Sequence, residues 1–216
     1  MNLSRESLEA ALDHLRAAPS DHGALRYVVA RPHPGERVVL AEGRLDVEMG
    51  LVGDSWKARG SRHTPDGDAE QSKQVTVMNV RVAELVAGGA QRLPLCGDQL
   101  YVDLDLSVEN VPAGSFLAVG DAVLQVSPEP HLGCKKFVAR FGSEAMRFVN
   151  SRLGRQLRLR GVNTSVVVAG TVRPGDVMRK VTAPAVPLMR RPAPAQVRGP
   201  VPAPAASAPT PLSPRG

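Results

Sequence analysis

Apolar residues recur at two periods along this chain, and the change of period divides it. Over residues 4–17, Leu8, Leu12 and Leu15 return at helical spacing, Ser4 stands where an N-cap belongs and Pro19 closes the run. That spacing predicts a short amphipathic helix packed on a core. From residue 24 the pattern becomes that of strands. Residues 25–31 (LRYVVAR) and 36–49 (ERVVLAEGRLDVEM) are rich in β-branched side chains, with Pro32, Pro34 and Gly35 between them, a strand–turn–strand signal. Residues 50–73 are polar and glycine-bearing, and a loop of that length in a compact domain is either functional or disordered.

QVTVM at 74–78 predicts a buried strand. Residues 79–89 predict a short helix, with Asn79 as its cap and two glycines at its end. Over 99–108 the alternation puts Leu100, Val102, Leu104 and Leu106 on one face and Tyr101, Asp103 and Asp105 on the other, a half-buried strand. Residues 116–128 predict a hairpin turning at Gly120 and Asp121. Residues 135–153 return to helical period, with Phe137 and Phe141 one turn apart and Ser143 placed to cap a second segment. Two closing strands follow at 163–170 and 172–181. Many short strands with a few inserted helices predict a mainly β (α+β) barrel or folded sheet rather than a doubly wound α/β fold.

Composition adds a division at the far end. Residues 183–216 hold ten of the 19 prolines, much alanine and few large apolar side chains. Such a segment buries too little surface to offset its ordering entropy and is expected to be disordered. The organisation read from the chain is therefore an N-terminal helix at 1–22, a β domain at 23–182 and a Pro/Ala-rich tail at 183–216.

The charge of +6 and pI near 9.9 invite a nucleic-acid reading, but its distribution argues against one. Four arginines and no acids lie in the tail; without them 23 basic residues face 21 acidic ones, a net +2. Aromatics are 3% of the chain, leaving few stacking platforms for single strands. No run of about 18 apolar residues predicts a membrane span, and the N-terminus has no secretory pattern. The expected compartment is the cytoplasm, where the two cysteines stay reduced.

Candidate chemistry centres on HLGCKKFVARFG, residues 131–142. Cys134 stands between a proline-marked turn and a pair of lysines. Neighbouring cations favour the thiolate, the nucleophilic and metal-binding form; the alternative is a small buried hydrophobe. His131, three residues earlier, is either a base for the sulfur or a turn residue. Cys96 has no cationic neighbours and is taken as structural. Gly53 and Asp54, and Gly97, Asp98 and Gln99, follow apolar residues and open loops whose backbone amides can approach an anion. Lys57, Arg59, Arg62 and His63 in the long loop either clamp phosphate or form a solvated face.

Taken in order, GLVGD at 50–54, QVTVMN at 74–79, CGDQL at 96–100, the long piece from LDLSV to ARFG at 104–142, and VRPGDV at 172–177 resemble the MOSC domain. This is the C-terminal module of molybdenum cofactor sulfurases, which also occurs alone in bacteria. The resemblance spans 25–181. It implies a barrel-like, mostly β fold with small helices. It implies that Cys134 ligates the molybdenum of a pterin cofactor or carries sulfur, and that Gly53, Asp54, Gly97, Asp98 and Gln99 line the cofactor site. Lys136 matches the family's Cys-x-Lys step and Arg140 its Arg-Phe-Gly arginine. The implied reaction is a two-electron reduction of N-hydroxylated or related small substrates, fed by an external electron donor. The implied alternative is a sulfur-carrier or cofactor-handling module working with a cofactor-biosynthesis protein through a Cys134 persulfide. The pyridoxal-phosphate domain of the fused sulfurases has no counterpart in this sequence, so the chain would receive its sulfur from elsewhere. Asp98 and Gln99 fall where many members have Glu-Asn, and Ser55 and Trp56 where a basic residue or histidine is common.

Overall fold

The computed structural model describes residues 4–184. Their strands close into a ring. In chain order they are β1 (Gly23–Ala30), β2 (Val38–Leu40), β3 (Gly43–Asp46), β4 (Gly50–Leu51), β5 (Val75–Asn79), β6 (Leu100–Asp103), β7 (Phe116–Val119), β8 (Ala122–Val126), β9 (Val162–Val168), β10 (Gly170–Val172) and β11 (Val177–Val181). The ring runs β11-β7-β8-β9-β5-β6-β1 and returns to β11 through Gly23 opposite Met178 and Ala24 opposite Val177. This is a seven-stranded mixed barrel, the class expected from the sequence. β5 and β6 pair in parallel; the other ring neighbours are antiparallel. β2 extends from the end of β1, and β10, β3 and β4 form a small second sheet.

The barrel interior is filled by alternate side chains such as Leu25, Val77, Leu100, Val102, Leu117, Leu124 and Val166. Each fully buried aliphatic side chain contributes about 1.5–3 kcal/mol. A second core lies outside the ring, where Val29, Met78 and Tyr101 meet the helices. β5 is accordingly buried at every position. The half-exposed strand expected over 99–108 is corrected in two respects: it ends at Asp103, and Tyr101, placed on its polar face, is fully buried in this second core.

The helices are α1 (Arg5–Ala10), α2 (Leu12–Arg16), α3 (Trp56–Arg59), α4 (Val80–Ala87), α5 (Lys135–Asn150) and α6 (Arg152–Gln156). Ser4 caps α1 by accepting from Ser7 N, and Asn79 caps α4 by accepting from Arg81 N. The predicted N-terminal helix is two, meeting at Ala11, with Leu8 and Leu15 buried. α5 sets Phe137 edge-to-face against Phe141, ring centres 5.0 Å apart, and breaks at Gly142, whose φ of 86° lies outside the helical region. The long loop at 50–73 holds β4, α3 and a 3-10 turn at Gln71–Lys73. Gly161 (φ 98°) lets the chain enter β9 across β5: a Cβ there would stand 2.3 Å from Val77 O. Among the described residues no helix is long and apolar enough to cross a membrane. The expected tail lies outside the described residues from position 185 onward.

Candidate functional site

β1 and β6 are antiparallel with Val28 opposite Leu100. The chain leaving β1 therefore lies beside the chain entering β6. Arg31, just past β1, donates from Nη1 to Gly97 O at 2.7 Å, while its backbone N–H, Nε and Nη2 reach the Asp54 carboxylate at 2.8–3.0 Å. Asp54 also accepts from Trp56 N, which sets the start of α3. Arg31 thus ties the 50–54 loop to the 96–99 loop.

Gly97 (φ 93°) is the pivot of the second loop. A methyl group there would stand 3.7 Å from Arg37 Nη2 and 3.7 Å from Arg140 Nη1. Arg140, on α5, donates to Leu95 O at 2.6 Å, and Arg92 donates to Arg140 O at 2.7 Å. Three guanidinium groups, those of Arg31, Arg37 and Arg140, therefore gather about one glycine. Asp54 balances Arg31. Among the described residues Arg37 and Arg140 have no carboxylate partner, and Arg37 Nε is buried without any acceptor. Burial, then Arg140 and Arg31, hold the Arg37 guanidinium below its ordinary value. Arg59, at the end of α3, is pulled down by partial burial and next by Arg31. Uncompensated, partly desolvated cations are what an anion site requires; the Gly97 and Asp98 amides, read from the sequence as anion donors, are instead taken by Pro94 O and the Tyr101 hydroxyl.

Beneath this lies a second group. Asp98, fully buried, accepts from Arg160 Nη1 at 2.6 Å and meets His131 Nε2 at 2.9 Å; its backbone N–H donates to the Tyr101 hydroxyl at 3.1 Å. Burial alone would raise the Asp98 carboxyl, but Arg160 and then His131 outweigh it and bring the value to about 2. Burial, followed by Arg160, depresses His131 against the pull of Asp98, so the imidazole is neutral near pH 7 and donates from Nε2. Tyr101 is held well above its ordinary range by burial and by Asp98. Arg160 also donates to Cys96 O at 3.0 Å and lies 5.2 Å from the Phe137 ring centre. Asp98 and His131 together dock the segment leading to Cys134 against the Gly97 loop.

Cys134 is exposed at the N-cap of α5, with no side-chain capping bond. This corrects the alternative of a buried hydrophobe. Lys135 and Lys136 beside it are exposed too. Cys96 is buried, its thiol pushed up to about 12 by burial and then by Asp98.

Of the sequence-predicted residues, Gly97, Asp98 and Arg140 meet at the loop, Asp54 joins through Arg31, and Gly53 sits exposed one position earlier. The Gln99 side chain turns inward, accepting from Thr76 N and Oγ1 and donating to Gln74 O. Sequence reasoning missed Arg31, Arg37 and Arg160. The signal for Arg160 was an arginine between Leu159 and the apolar entry to β9; Arg31 and Arg37 gave none beyond bracketing the proline turn. Among the described residues no cluster of three or more His, Cys, Asp or Glu side chains could hold a metal ion.

No family model and no curated protein matches the sequence. Solved structures do match the fold. YuaD from Bacillus subtilis superposes with a TM-score of 0.56 at 14% identity, over 72% of this chain and 93% of that one. The fold is MOSC-like. A hypothetical protein matches with a TM-score of 0.52 at 20% identity, over 75% of this chain and 69% of its own. YiiM from Escherichia coli gives 0.45 at 19% identity, over 74% and 70%. At 14% and 20% identity the likeness to YuaD and to the hypothetical protein is one of fold, and the chemistry of the MOSC-like barrel rests on its own residues.

Proposed function

We propose that this barrel binds a molybdenum-pterin cofactor and reduces small N-hydroxylated or related substrates, drawing electrons from an external donor. The observation that carries the reading is the convergence of Arg31, Arg37 and Arg140 on Gly97, with Arg37 Nε buried and unpartnered among the described residues. That donor set fits the phosphate of a pterin cofactor. In this reading Arg37 and Arg140 hold the phosphate, and Arg31, fixed by Asp54, keeps the Gly97 carbonyl turned away from it. Cys134 supplies the thiolate that suits a soft metal. When bound, the cofactor supplies two-electron redox chemistry. Asp98 fixes the tautomer of His131 by accepting a hydrogen bond from its Nε2, which holds the segment leading to Cys134 in place.

The exposure of Cys134 favours a second reading, a sulfur-carrier or cofactor-handling module in which the same sulfur bears a persulfide and meets a cofactor-biosynthesis protein. One experiment separates them. The protein is purified from a host that makes the cofactor, beside Cys134→Ala and Arg37→Gln, and assayed for molybdenum, pterin and persulfide. Near-stoichiometric molybdenum and pterin, reduced in both variants, supports the first reading. A persulfide on Cys134 without molybdenum supports the second and overturns the first.

A further inference from the structure

A cavity of about 190 Å³ opens between the 127–132 segment and the chain from α6 to β9. It is separate from the Gly97 cluster, with His131 and Arg160 on its wall and none of Arg31, Arg37 or Arg140. Its size lies below the roughly 300–1,000 Å³ of sites that enclose drug-sized ligands, so it is too small for a pterin cofactor and large enough for a small molecule.

The charges around it do not balance. Arg155 and Arg158 both line it. Each donates to a backbone carbonyl, Arg155 Nε to Asn150 O at 2.9 Å and Arg158 Nη1 to Val111 O, and neither meets a carboxylate among the described residues. The third arginine, Arg160, is matched by Asp98, yet its Nε is buried with no partner among the described residues. The one carboxylate in the lining, Glu129, is exposed at the mouth. Arg158 is also held at φ 46°, a left-handed conformation uncommon outside glycine. Such outliers persist where the surroundings enforce them, often at ligand sites. The lining also has apolar members, among them Val108, Leu132 and Val162.

We propose that this cavity binds a small organic anion, a carboxylate or phosphate ester with a short apolar body, held by Arg155 and Arg158 and lying against His131. The apolar members take the body of the molecule and the arginines its charge. The site is independent of the cofactor.

The test uses the full chain from a host unable to make the pterin cofactor, so that failure of the cofactor reading leaves this one intact. Benzoate, phenyl phosphate and neutral benzamide are titrated by calorimetry at matched ionic strength. Both anions are expected to bind, with benzamide at least tenfold weaker. Arg155→Gln is expected to weaken the anions about tenfold, as loss of one charge-assisted contact does, with an unchanged melting temperature because Arg155 is exposed. Arg155→Lys, which restores the charge, is expected to recover most of the affinity. Binding of benzamide as tight as benzoate, wild-type affinity in Arg155→Gln, or no binding at millimolar concentrations overturns the proposal. Displacement of benzoate by a short DNA duplex at far lower concentration overturns it also, in favour of a polyanion surface.

Discussion

Arg160 Nη1 stands 2.6 Å from Asp98 Oδ2, and both side chains are buried. The pair joins the entry to β6 with the entry to β9 and carries His131 on the other carboxylate oxygen. Removing one member of a buried pair leaves a desolvated charge alone. Asp98→Ala is therefore expected to cost about 3–5 kcal/mol in unfolding free energy, read from urea denaturation. Asp98→Asn, which keeps one acceptor for Arg160, should cost less.

Acid should weaken the fold in two stages. His131 is depressed in the folded protein, so the unfolded chain binds the extra proton first, and stability falls as pH drops below about 6.5. Asp98, held at about 2, contributes stability that is complete above the ordinary carboxylate value and lost as pH falls toward 2. Urea midpoints at pH 7.5, 5.5 and 3 check both. His131→Gln should flatten the upper stage and, because His131 helps Arg160 hold the Asp98 carboxyl down, shift the lower one to higher pH.

Arg37→Gln removes a cation that has no carboxylate partner among the described residues and whose Nε is buried without an acceptor. The melting temperature should hold or rise slightly, while sulfate, as a stand-in for a cofactor phosphate, should bind at least tenfold more weakly. A large loss of stability with unchanged sulfate affinity would make Arg37 a structural residue.

The two thiols should differ sharply toward iodoacetamide. Cys134, exposed, is expected to alkylate in the native protein; Cys96, buried with its thiol pushed up to about 12, only on unfolding. Mass spectrometry of the labelled chain reads both sites at once. Cys134→Ala should leave the melting temperature unchanged, and Cys96→Ala should lower it by the loss of a small packed side chain.

Local pattern carried much of this architecture. The Ser4 and Asn79 caps, the hairpin at Gly120 and the Phe137–Phe141 pair were all legible, because each depends on residues a few positions apart. Tyr101 was misplaced because a barrel strand covered by helices is buried on both faces, and alternation shows only one. Asp98 was legible as a loop residue; its engagement with Arg160 and His131 was not, since ion pairing across the fold leaves no periodic trace. Gln99, read as a site residue, shows how a polar side chain beside a loop can instead brace two strands through Thr76 and Gln74.

The ring closes where β1 meets β11, through two residue pairs, whereas β7 and β8 share four. That seam joins strands from opposite ends of the described chain, with Gly23 opposite Met178, so its formation waits on a very long-range encounter, and folding should be slow for a domain of this size. A native barrel should also breathe there first: amide protons of Leu25 and Gly175, bonded across the gap to Asp176 O and Leu25 O, are placed to exchange ahead of those between β5 and β6.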